Sequence, residues 1–388
     1  MKLCKHFGDC GGCSYQDIPY KEQLIHKLDK VKNLMSACDI KTDIKPINPS
    51  EEWYYRNKME FSFSSNGNIL CGLYSKLKKG KLVDIEECLI FSPDTGLILD
   101  TVKKFSKERS YEVYNKYSHK GFLRYLILRQ TKFTNETMVG ITVSSQNSFD
   151  KEGFIKVLAP LKLKSAIKSI YLITSDSLSD AVVFEEKELL YGEAWILEKL
   201  GDMAFKISID TFSQVNPKAT VGFYNKIKEY ADLDDSKSVL DLFCGAGSIG
   251  LYLSKQAKFV WGVEVSSEII DMAWENAKIN NTENISFFVA DVRKFLNTQG
   301  TFYKNTDLVV INPPRSGLSN KIIRAVMRLN PKKIIYSSCN VDALFRDLKG
   351  LTDAYQVNFI EPFDFFPHTR HLECLALFSK MKTFSEKH

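Results

Sequence analysis

The chain has 388 residues, 44% of them hydrophobic and 26% charged, as is typical of a folded protein of roughly two or three domains. It contains no run of about 18 apolar residues and no apolar leader, so we expect no membrane span and no signal peptide, and a cytoplasmic location. Disulfides are rare in that compartment, so the nine cysteines are expected to be core residues, metal ligands or a nucleophile.

Positive charge is concentrated in one part of the chain. The net charge is +6, and residues 76–132 contain 13 Lys or Arg against 7 Asp or Glu. Aromatic residues are interleaved with these charges: Phe105, Tyr111, Tyr114, Tyr117, Phe122 and Tyr125. Basic groups neutralise phosphates and aromatic rings stack on bases, so the segment indicates contact with RNA or DNA. The alternative is a solvated basic face whose rings turn into the core.

The first half of the chain is predicted to be mostly β. Cys4, Cys10 and Cys13 precede a predicted helix over residues 19–35, in which apolar residues recur at helical spacing. Beyond residue 54, the pattern predicts short strands and turns up to about residue 209. The strands are expected at residues 59–64, 69–74, 122–129, 138–143 and 169–174.

From about residue 212, predicted strands alternate with helices. The strands are expected at residues 239–243, 260–265, 285–289, 308–311, 334–337 and 372–378. A helix over residues 266–281 begins at a capping Ser266 or Ser267 and has one apolar stripe. This alternation predicts an α/β fold with a parallel, doubly wound, Rossmann-like sheet, in which ligands bind at the carboxyl ends of the strands.

A glycine-rich turn marks the first strand end of this sheet. Residues 241–250 read Asp-Leu-Phe-Cys-Gly-Ala-Gly-Ser-Ile-Gly, and glycines such as Gly245 allow the backbone to approach a ligand closely. Glu264 ends the next strand, where a carboxylate can accept hydrogen bonds from ribose hydroxyls. Because Asp241 precedes the glycines, the turn favours a cationic cofactor such as S-adenosylmethionine over the pyrophosphate of NAD. A turn that binds no ligand is the remaining alternative.

Two further strand ends carry polar residues. Asp291 follows the third strand, where it can accept a hydrogen bond from an adenine amine or cap the next helix, and both interpretations stay open. Asn312 ends the fourth strand, and Pro313 and Pro314 stiffen the loop that follows it. Such a loop can hold Asn312 between cofactor and substrate, although an ordinary break after a strand is the alternative.

The fifth strand ends in Ser338-Cys339-Asn340. Free cysteines are among the most buried residues, so Cys339 could be an ordinary core residue. Its position at the carboxyl edge, beside the predicted cofactor turn, favours a nucleophile instead.

The motifs taken together resemble the RNA uracil-C5 methyltransferases that use S-adenosylmethionine. The pieces occur in family order over nearly the whole chain. They are the four cysteines Cys4, Cys10, Cys13 and Cys88, residues 212–217, the turn at 241–250, residues 312–315, residues 338–340 and residues 366–373. Many members of the family have Asp at the position of Asn312. With Asn at this position, the chain is similar to the RlmC (RumB) subgroup, which acts on 23S rRNA. That subgroup lacks the N-terminal β-barrel of longer relatives, and this chain starts directly at the cysteine motif.

The resemblance implies a role for each matching residue. It implies contacts with S-adenosylmethionine at Gln214, Phe243, Glu264 and Asn312, to which the turn adds Gly245 and the third strand adds Asp291. It implies Cys339 as nucleophile and Glu373 as base, with His368 and His371 as rival bases that more plausibly orient the loop. It also implies a [4Fe-4S] cluster on Cys4, Cys10, Cys13 and Cys88, for which zinc is the chemical rival. The remaining cysteines are expected in the core: Cys38, Cys71, Cys244 and Cys374.

The resemblance also implies an organisation and a reaction. Residues 1–92 would hold the cluster and the start of a central β domain, residues 93–210 the RNA-contacting β region, and residues 211–388 the methyltransferase domain. The expected reaction is methylation of C5 of uridine 747 in 23S rRNA, by a monomer that does not bind membranes. A uridine of tRNA or another rRNA position is the first alternative. An amino-group methyltransferase, a non-catalytic iron–sulfur RNA-binding protein and an NAD-dependent oxidoreductase are the others.

Overall fold

The computed structural model describes residues 2–304 and 306–381. The helices of these residues are Tyr20–Ala37 (α1), Thr95–Glu108 (α2), Lys151–Leu158 (α3), Pro217–Ala231 (α4), Ser248–Ser254 (α5), Ser267–Ile279 (α6), Val292–Thr298 (α7), Asn320–Leu329 (α8) and Val341–Leu351 (α9). A 3₁₀ helix covers Gly300–Tyr303. Among the described residues, no helix combines the length and the apolar character needed to span a bilayer.

The strands form two large sheets and a separate hairpin. In chain order they are Asp43–Ile44 (β1), Lys58–Ser65 (β2), Ile69–Tyr74 (β3), Leu82–Asp84 (β4), Leu123–Gln130 (β5), Glu136–Val143 (β6), Ala166–Thr174 (β7), Glu186–Gly192 (β8), Ile196–Leu200 (β9), Met203–Ile207 (β10), Ser238–Leu242 (β11), Phe259–Glu264 (β12), Ile285–Val289 (β13), Leu308–Ile311 (β14), Lys333–Ser338 (β15), Tyr355–Phe363 (β16) and Glu373–Lys380 (β17). β9 and β10 are the hairpin.

The first sheet has seven strands in the order β4-β3-β2-β5-β6-β7-β8, antiparallel except between β6 and β7. Two helices, α2 and α3, contribute Phe105 and Phe154 to its core. Residues 54–209 were predicted to be mostly short strands and turns, and the two helices within this range were not predicted. The signal was present in α2, because Ile98, Val102 and Phe105 recur at helical spacing and are buried.

The second sheet has eight strands in the order β1-β16-β17-β15-β14-β11-β12-β13. Strands β15, β14, β11, β12 and β13 are parallel, whereas β17 runs antiparallel to both of its neighbours. The expected purely parallel sheet is therefore a mixed sheet. The apolar run at residues 372–378 could not reveal this, because a strand buried on both faces has the same composition in either direction.

The N-terminal segment belongs physically to the second sheet. β1 pairs in parallel with β16, and Val31 of α1 lies in the same apolar core as Leu344 and Leu348 of α9. Lys27 of α1 donates to Asp364 at 2.6 Å, and both side chains are buried. Residues from the first predicted segment thus help to build the sheet of the last, and the two boundaries between the three predicted domains stay a prediction.

Candidate active site

Strand register brings the predicted cofactor residues to one edge of the second sheet. Leu242 of β11 pairs with Val263 of β12 on one side and with Ile311 of β14 on the other. The next residue of each strand is one of three predicted contacts: Phe243, Glu264 and Asn312. Asp291 follows β13, whose Val289 pairs with Glu264. Four neighbouring parallel strands therefore deliver these side chains to one edge, where such sheets bind ligands.

The glycine-rich turn is fixed by backbone contacts. Phe243, Gly245 and Gly247 all have positive φ angles, of 60°, 53° and 80°. The Gly245 amide donates to Glu264 Oε2 at 3.3 Å, which ties the turn to the end of β12. A Cβ at Gly247 would lie 2.8 Å from the ring of Phe287, so only glycine fits there.

Asp241 fixes the turn from the end of β11. Its side chain is buried, and its Oδ2 accepts a hydrogen bond from the Gly250 amide at 3.0 Å. Burial raises the pKa of Asp241 to about 7, the Gly250 hydrogen bond opposes this, and Glu264 adds to it. The carboxyl group therefore holds the start of α5 against β11.

Glu264 and Asp291 both bind backbone amides. Glu264 Oε1 accepts from Val265 N at 2.7 Å. Asp291 caps α7, because its Oδ1 accepts from Lys294 N at 2.9 Å, and its side chain is exposed. The capping interpretation of Asp291 is thus observed, and a cofactor contact at its other oxygen remains a prediction.

Cys339 and Glu373 lie opposite each other at the end of the sheet. Ser338 of β15 pairs with Cys374 of β17 in antiparallel register, so Cys339 and Glu373 are the next residues of the two strands toward the edge. Burial raises the pKa of the half-buried Cys339 thiol, the charge of Glu373 raises it further, and Arg315 opposes both.

Glu373 is an unusual residue for a strand interior. It is 2% exposed, and burial raises its pKa to about 8. Its Oε1 is buried without a hydrogen-bond partner among the described residues. A buried, unpaired carboxyl group is costly, and it is found where a shifted pKa serves chemistry.

The turn around Cys339 is locked by residues that the sequence analysis did not assign. Asn340 caps α9 and donates from Nδ2 to the Arg315 carbonyl at 2.9 Å. Ser337 donates to Asn312 Oδ1 at 2.8 Å, which joins the cysteine strand to the predicted cofactor strand. The signal for Asn340 was its place directly before an amphipathic helix, where Asn is a preferred cap.

Cys339 opens into a cleft of about 1470 Å³ between the two sheets. Basic residues line both of its sides: Arg56, Lys58, Arg129 and Arg315. Gln214 borders this cleft and also a neighbouring pocket of about 440 Å³ that is lined by Ala246 and Ser248 of the glycine-rich turn. The predicted cofactor contact Gln214 thus lies between the turn and the thiol.

The two rival histidines have structural partners. His368 is buried, stacks on Trp53 with ring centroids 3.9 Å apart, and has a φ of 64°. Gln23 fixes it, because Gln23 Oε1 accepts from the His368 amide at 2.9 Å and Gln23 Nε2 lies 3.2 Å from His368 Nδ1. Burial lowers the pKa of His368 to about 4. His371 Nδ1 lies 3.2 Å from Arg315 Nη2, at the mouth of the cleft.

The four N-terminal cysteines line one small pocket of about 360 Å³: Cys4, Cys10, Cys13 and Cys88. Burial raises the pKa of each thiol, to about 12 for Cys13 and Cys88, and negative charge on the neighbouring thiols raises the pKa of Cys13 and Cys88 further. Thiolates become stable in such a pocket only with a bound cation, so the donor set fits an iron–sulfur cluster chemically.

The cluster itself is not confirmed. Within residues 2–304 and 306–381, no group of three or more His, Cys, Asp or Glu side chains is arranged to hold a metal ion. The same finding leaves the zinc alternative without support. Among the cysteines expected in the core, Cys71, Cys244 and Cys374 are buried, whereas Cys38 is only half-buried.

The basic aromatic segment divides into two groups. Phe105, Tyr111 and Phe122 are buried in the core of the first sheet, so for these three residues the alternative, rings that turn into the core, is observed. Tyr114, Tyr117 and Tyr125 line an open groove on the same sheet.

Comparisons with known proteins show the family of this chain. A sequence model of the family described as tRNA (uracil-5-)-methyltransferase matches residues 19–381. An uncharacterised RNA methyltransferase of Caldanaerobacter subterraneus subsp. tengcongensis is 35% identical over 382 residues, covering 97% of this chain and 84% of that protein. An uncharacterised RNA methyltransferase of Clostridium tetani is 33% identical over 379 residues, covering 96% of this chain and 82% of that protein.

A solved structure matches along almost the whole chain. The crystal structure of the Pyrococcus abyssi tRNA (uracil-54, C5)-methyltransferase in complex with S-adenosyl-L-homocysteine has a TM-score of 0.78 and 30% identity, covering 97% of this chain and 88% of that one. Fold and comparisons together define an enzyme of the S-adenosylmethionine-dependent RNA methyltransferase class. Within that class, the chain belongs to the tRNA (uracil-5-)-methyltransferase family, which confirms the resemblance, the RNA substrate and the methyl donor.

Proposed function

We propose that this enzyme methylates C5 of a uridine in RNA through a covalent bond between Cys339 and C6 of the base. The observation that carries the proposal is that Cys339 and Glu373 each lie one residue beyond the paired Ser338 and Cys374. At the same edge of the sheet, Asn312 accepts a hydrogen bond from Ser337 of the cysteine strand. A thiol and a buried carboxyl group with a raised pKa are thus held together beside a cleft large enough for a base.

The thiol and the carboxylate have separate roles. C5 of uracil is a weak nucleophile, so the Cys339 thiolate first adds to C6, and the C5–C6 π electrons move to form an enolate. The enolate electrons then form the bond from C5 to the methyl carbon while the methyl–sulfur bond of the donor breaks and its electron pair stays on sulfur, which leaves C5 with both a methyl group and its original hydrogen. Glu373 removes this proton, the C–H electrons restore the C5–C6 double bond, and the thiolate leaves C6.

Basic residues support the ionised states. Arg315 lowers the pKa of the Cys339 thiol, against burial and the charge of Glu373. The thiol therefore ionises more readily when Glu373 is neutral, and Glu373 ionises more readily once addition has consumed the charge of the thiolate. Substrate and cofactor further change these values, since S-adenosylmethionine supplies an electrophilic methyl group on a cationic sulfur.

The cofactor residues are proposed from the strand register. Phe243, Gly245, Glu264 and Asn312 form one edge, Asp291 extends it by one strand, and Gln214 approaches it from the cleft. Glu264 would accept hydrogen bonds from ribose hydroxyls, and Asn312 would position the donor against the base. The target base must leave its stack to enter the cleft, as in other enzymes that modify bases.

We further propose that Cys4, Cys10, Cys13 and Cys88 hold a [4Fe-4S] cluster with a structural role. Support comes from four thiols that line one pocket, two of them buried and two half-buried, none of which the methyl transfer requires. The cluster would supply the positive charge that four thiolates need and would fix residues 4–13 against β3 and β4.

The proposed substrate is 23S rRNA, at uridine 747, methylated by a cytoplasmic monomer. Support for this RNA is the similarity to the RlmC subgroup, including Asn312. A tRNA uridine is the second candidate, because the archaeal protein that matches 97% of this chain is named as a tRNA (uracil-54, C5)-methyltransferase.

The covalent step can be tested by trapping. RNA that carries 5-fluorouridine at the target position allows addition and methyl transfer. Glu373 cannot remove fluorine as a cation, so the thiolate stays bonded to C6. We expect a protein–RNA complex that survives denaturation, forms only with S-adenosylmethionine and has the mass of one methylated adduct.

The matched variants separate the outcomes. Cys339→Ser is expected to give no complex, whereas Cys38→Ser, at a half-buried cysteine outside the cleft, is expected to trap as well as wild type. Methylation of ordinary RNA without any trapped complex would contradict the covalent mechanism. Competing a 23S fragment containing uridine 747 against tRNA identifies the RNA, since the preferred one is trapped first.

A further inference from the structure

An open groove lies on the first sheet, away from the Cys339 cleft. It encloses about 890 Å³ and is lined by β2, β3, β5 and the segments around residues 113–117 and 178–180. Four tyrosines line it: Tyr74, Tyr114, Tyr117 and Tyr125. Neither the catalytic chemistry nor the proposed cofactor site uses any of them.

Large apolar side chains at this groove are unusually exposed. Tyr117 is 82% exposed and Tyr74 47%, and Leu178 on the opposite rim is 71% exposed. Cations lie over the tyrosine rings, because Lys116 Nζ is 5.6 Å from the ring centroid of Tyr74 and 5.5 Å from that of Tyr117. Exposed aromatic rings accompanied by cations form the kind of surface on which unpaired bases stack.

A buried arginine provides an independent sign of a ligand. Arg124 lines the groove at 5% exposure, and its guanidinium lies 4.4 Å from the ring centroid of Tyr114. Its terminal nitrogens donate to the carbonyls of Ser175 and Ser177, each at 2.6 Å. Its Nε, in contrast, is buried without a hydrogen-bond partner among the described residues. A buried guanidinium whose Nε–H has no acceptor costs free energy, unless a ligand accepts that hydrogen bond.

The groove and the cleft share one strand. Along β2, Met59, Phe61 and Phe63 are buried, and the alternate residues face the open side of the sheet. Lys58 of that face lines the cleft and Ser62 lines the groove. At a rise of about 3.3 Å per residue, the two are about 13 Å apart. Stacked nucleotides of one strand are spaced by about 3.4 Å, so this distance corresponds to only a few nucleotides.

Charge along this path suits a phosphate backbone. The turn between β3 and β4 presents the exposed Lys78 and Lys79 beside Gly80 of the groove. Lys116 is paired with Asp180 at 2.7 Å on the rim, and Glu60 is paired with Lys58 at 2.6 Å. The carboxylate of Asp180 is largely exposed, and an ion pair at such a site contributes little, so a phosphate can replace it beside Lys116.

We propose that this groove binds an unpaired nucleotide of the RNA substrate, a few positions from the target uridine, by stacking its base on Tyr74 and Tyr117. The proposal rests on the proposed function for the identity of the RNA, but it adds a second contact that the catalytic cleft does not provide. Its effect is on binding of RNA with a single-stranded flank and not on the chemical step.

The test compares binding with turnover. The double variant Tyr74→Ala/Tyr117→Ala is measured against Phe302→Ala, which removes an aromatic ring that is 84% exposed in Gly300–Tyr303. Loss of a stacking ring weakens single-strand binding by about tenfold or more. We expect the Kd and KM for RNA with flanks of about six unpaired nucleotides to rise by this factor, with kcat unchanged. For RNA cut back to the target loop alone, and for Phe302→Ala, neither should change.

The outcomes distinguish this proposal from the proposed function. If wild type binds RNA but does not methylate uridine, the proposed function fails while the difference in Kd between long and short RNA still tests the groove. If the tyrosine variant binds long RNA as well as wild type does, the groove is not an RNA site and the proposal is overturned, whatever else the groove binds. An equal loss for long and short RNA would overturn it too. Tyr74→Phe/Tyr117→Phe should restore binding, because the ring and not the hydroxyl stacks.

Discussion

The enzyme places cysteines in two settings, and burial raises the thiol pKa in both. Cys339 is a single half-buried thiol facing an open cleft, with Arg315 opposing the charge of Glu373. At the other end of the described chain, four thiols share one small pocket, and the pKa of two of them rises to about 12. A single thiol in a cleft is open to a substrate, whereas four thiols around one pocket can be ionised together only with a bound cation. The proposed roles, nucleophile in one region and cluster ligand in the other, therefore differ because of access and number and not because of the thiol pKa.

The largest expected effect comes from removing the single thiol. Cys339→Ala should lower turnover by at least about 10⁴-fold, because C5 then has no route to the enolate. Transfer of labelled methyl groups to RNA measures the loss, and Cys38→Ala is the matched cysteine control. Near-normal methylation by Cys339→Ala would break the comparison and favour an amino-group methyltransferase, which needs no thiol.

The next largest effect concerns Glu373, the proposed base beside Cys339. Glu373→Gln should lower turnover by about 10²- to 10⁴-fold and should accumulate the methylated adduct on ordinary RNA, since the C5 proton is no longer removed. Glu361→Gln is the control, because Glu361 is also buried but lies outside the cleft. Burial raises the pKa of Glu373 to about 8, so the ionised base is a minor form at lower pH. Wild-type proton removal should thus rise about tenfold per pH unit toward pH 8, and the variant should lose this dependence.

The proposed cluster in the four-cysteine pocket predicts a change in metal content when one of its ligands is removed. Cys13→Ser should reduce bound iron from about four atoms per chain to near zero and lower the Tm by several degrees, with turnover reduced by roughly tenfold or less. Cys71→Ala removes an equally buried cysteine outside the pocket and should keep its iron. Iron analysis of anaerobically purified protein decides the matter, and zinc in place of iron would contradict the cluster.

The smallest effect tests whether the two regions are independent. Gln23 Nε2 donates to the Tyr15 carbonyl at 2.8 Å and approaches His368 in the loop before Glu373. Gln23→Leu should lower kcat about two- to fivefold without loss of iron, because only the loop is released. A matched substitution, Gln256→Leu, lies outside this contact and should change nothing. If Gln23→Leu also lost the iron, the two regions would form one unit.

Some of the fold could be predicted from sequence because the signal was local. The apolar run at Leu308–Ile311 and the capped helix Ser267–Ile279 both lie within a residue or two of their predicted positions. β16 was missed because Pro362 lies inside it, and proline normally argues against a strand. Helix α2 was missed although its spacing was helical, since the surrounding strands dominated the interpretation.

In the candidate site, too, only the features that depend on local sequence could be predicted. Phe243, Glu264 and Asn312 could be predicted as neighbours because they end adjacent parallel strands. The pairing of Cys339 with Glu373 could not, because it depends on the antiparallel direction of β17, which composition does not encode. The position of Asp241 beside the turn could be predicted, whereas its hydrogen bond to the Gly250 amide depends on how α5 packs on β11.

The buried pair between Lys27 and Asp364 has a consequence for how the chain is made. These residues are 337 positions apart, and a ribosome needs roughly 20 to 70 seconds to synthesise that interval. During this time α1 and β1 have emerged, but α9 and β16, against which they pack, do not yet exist. The earliest part of the chain is therefore among the last to find its native contacts, and its lysine and apolar face stay in water until synthesis is nearly complete.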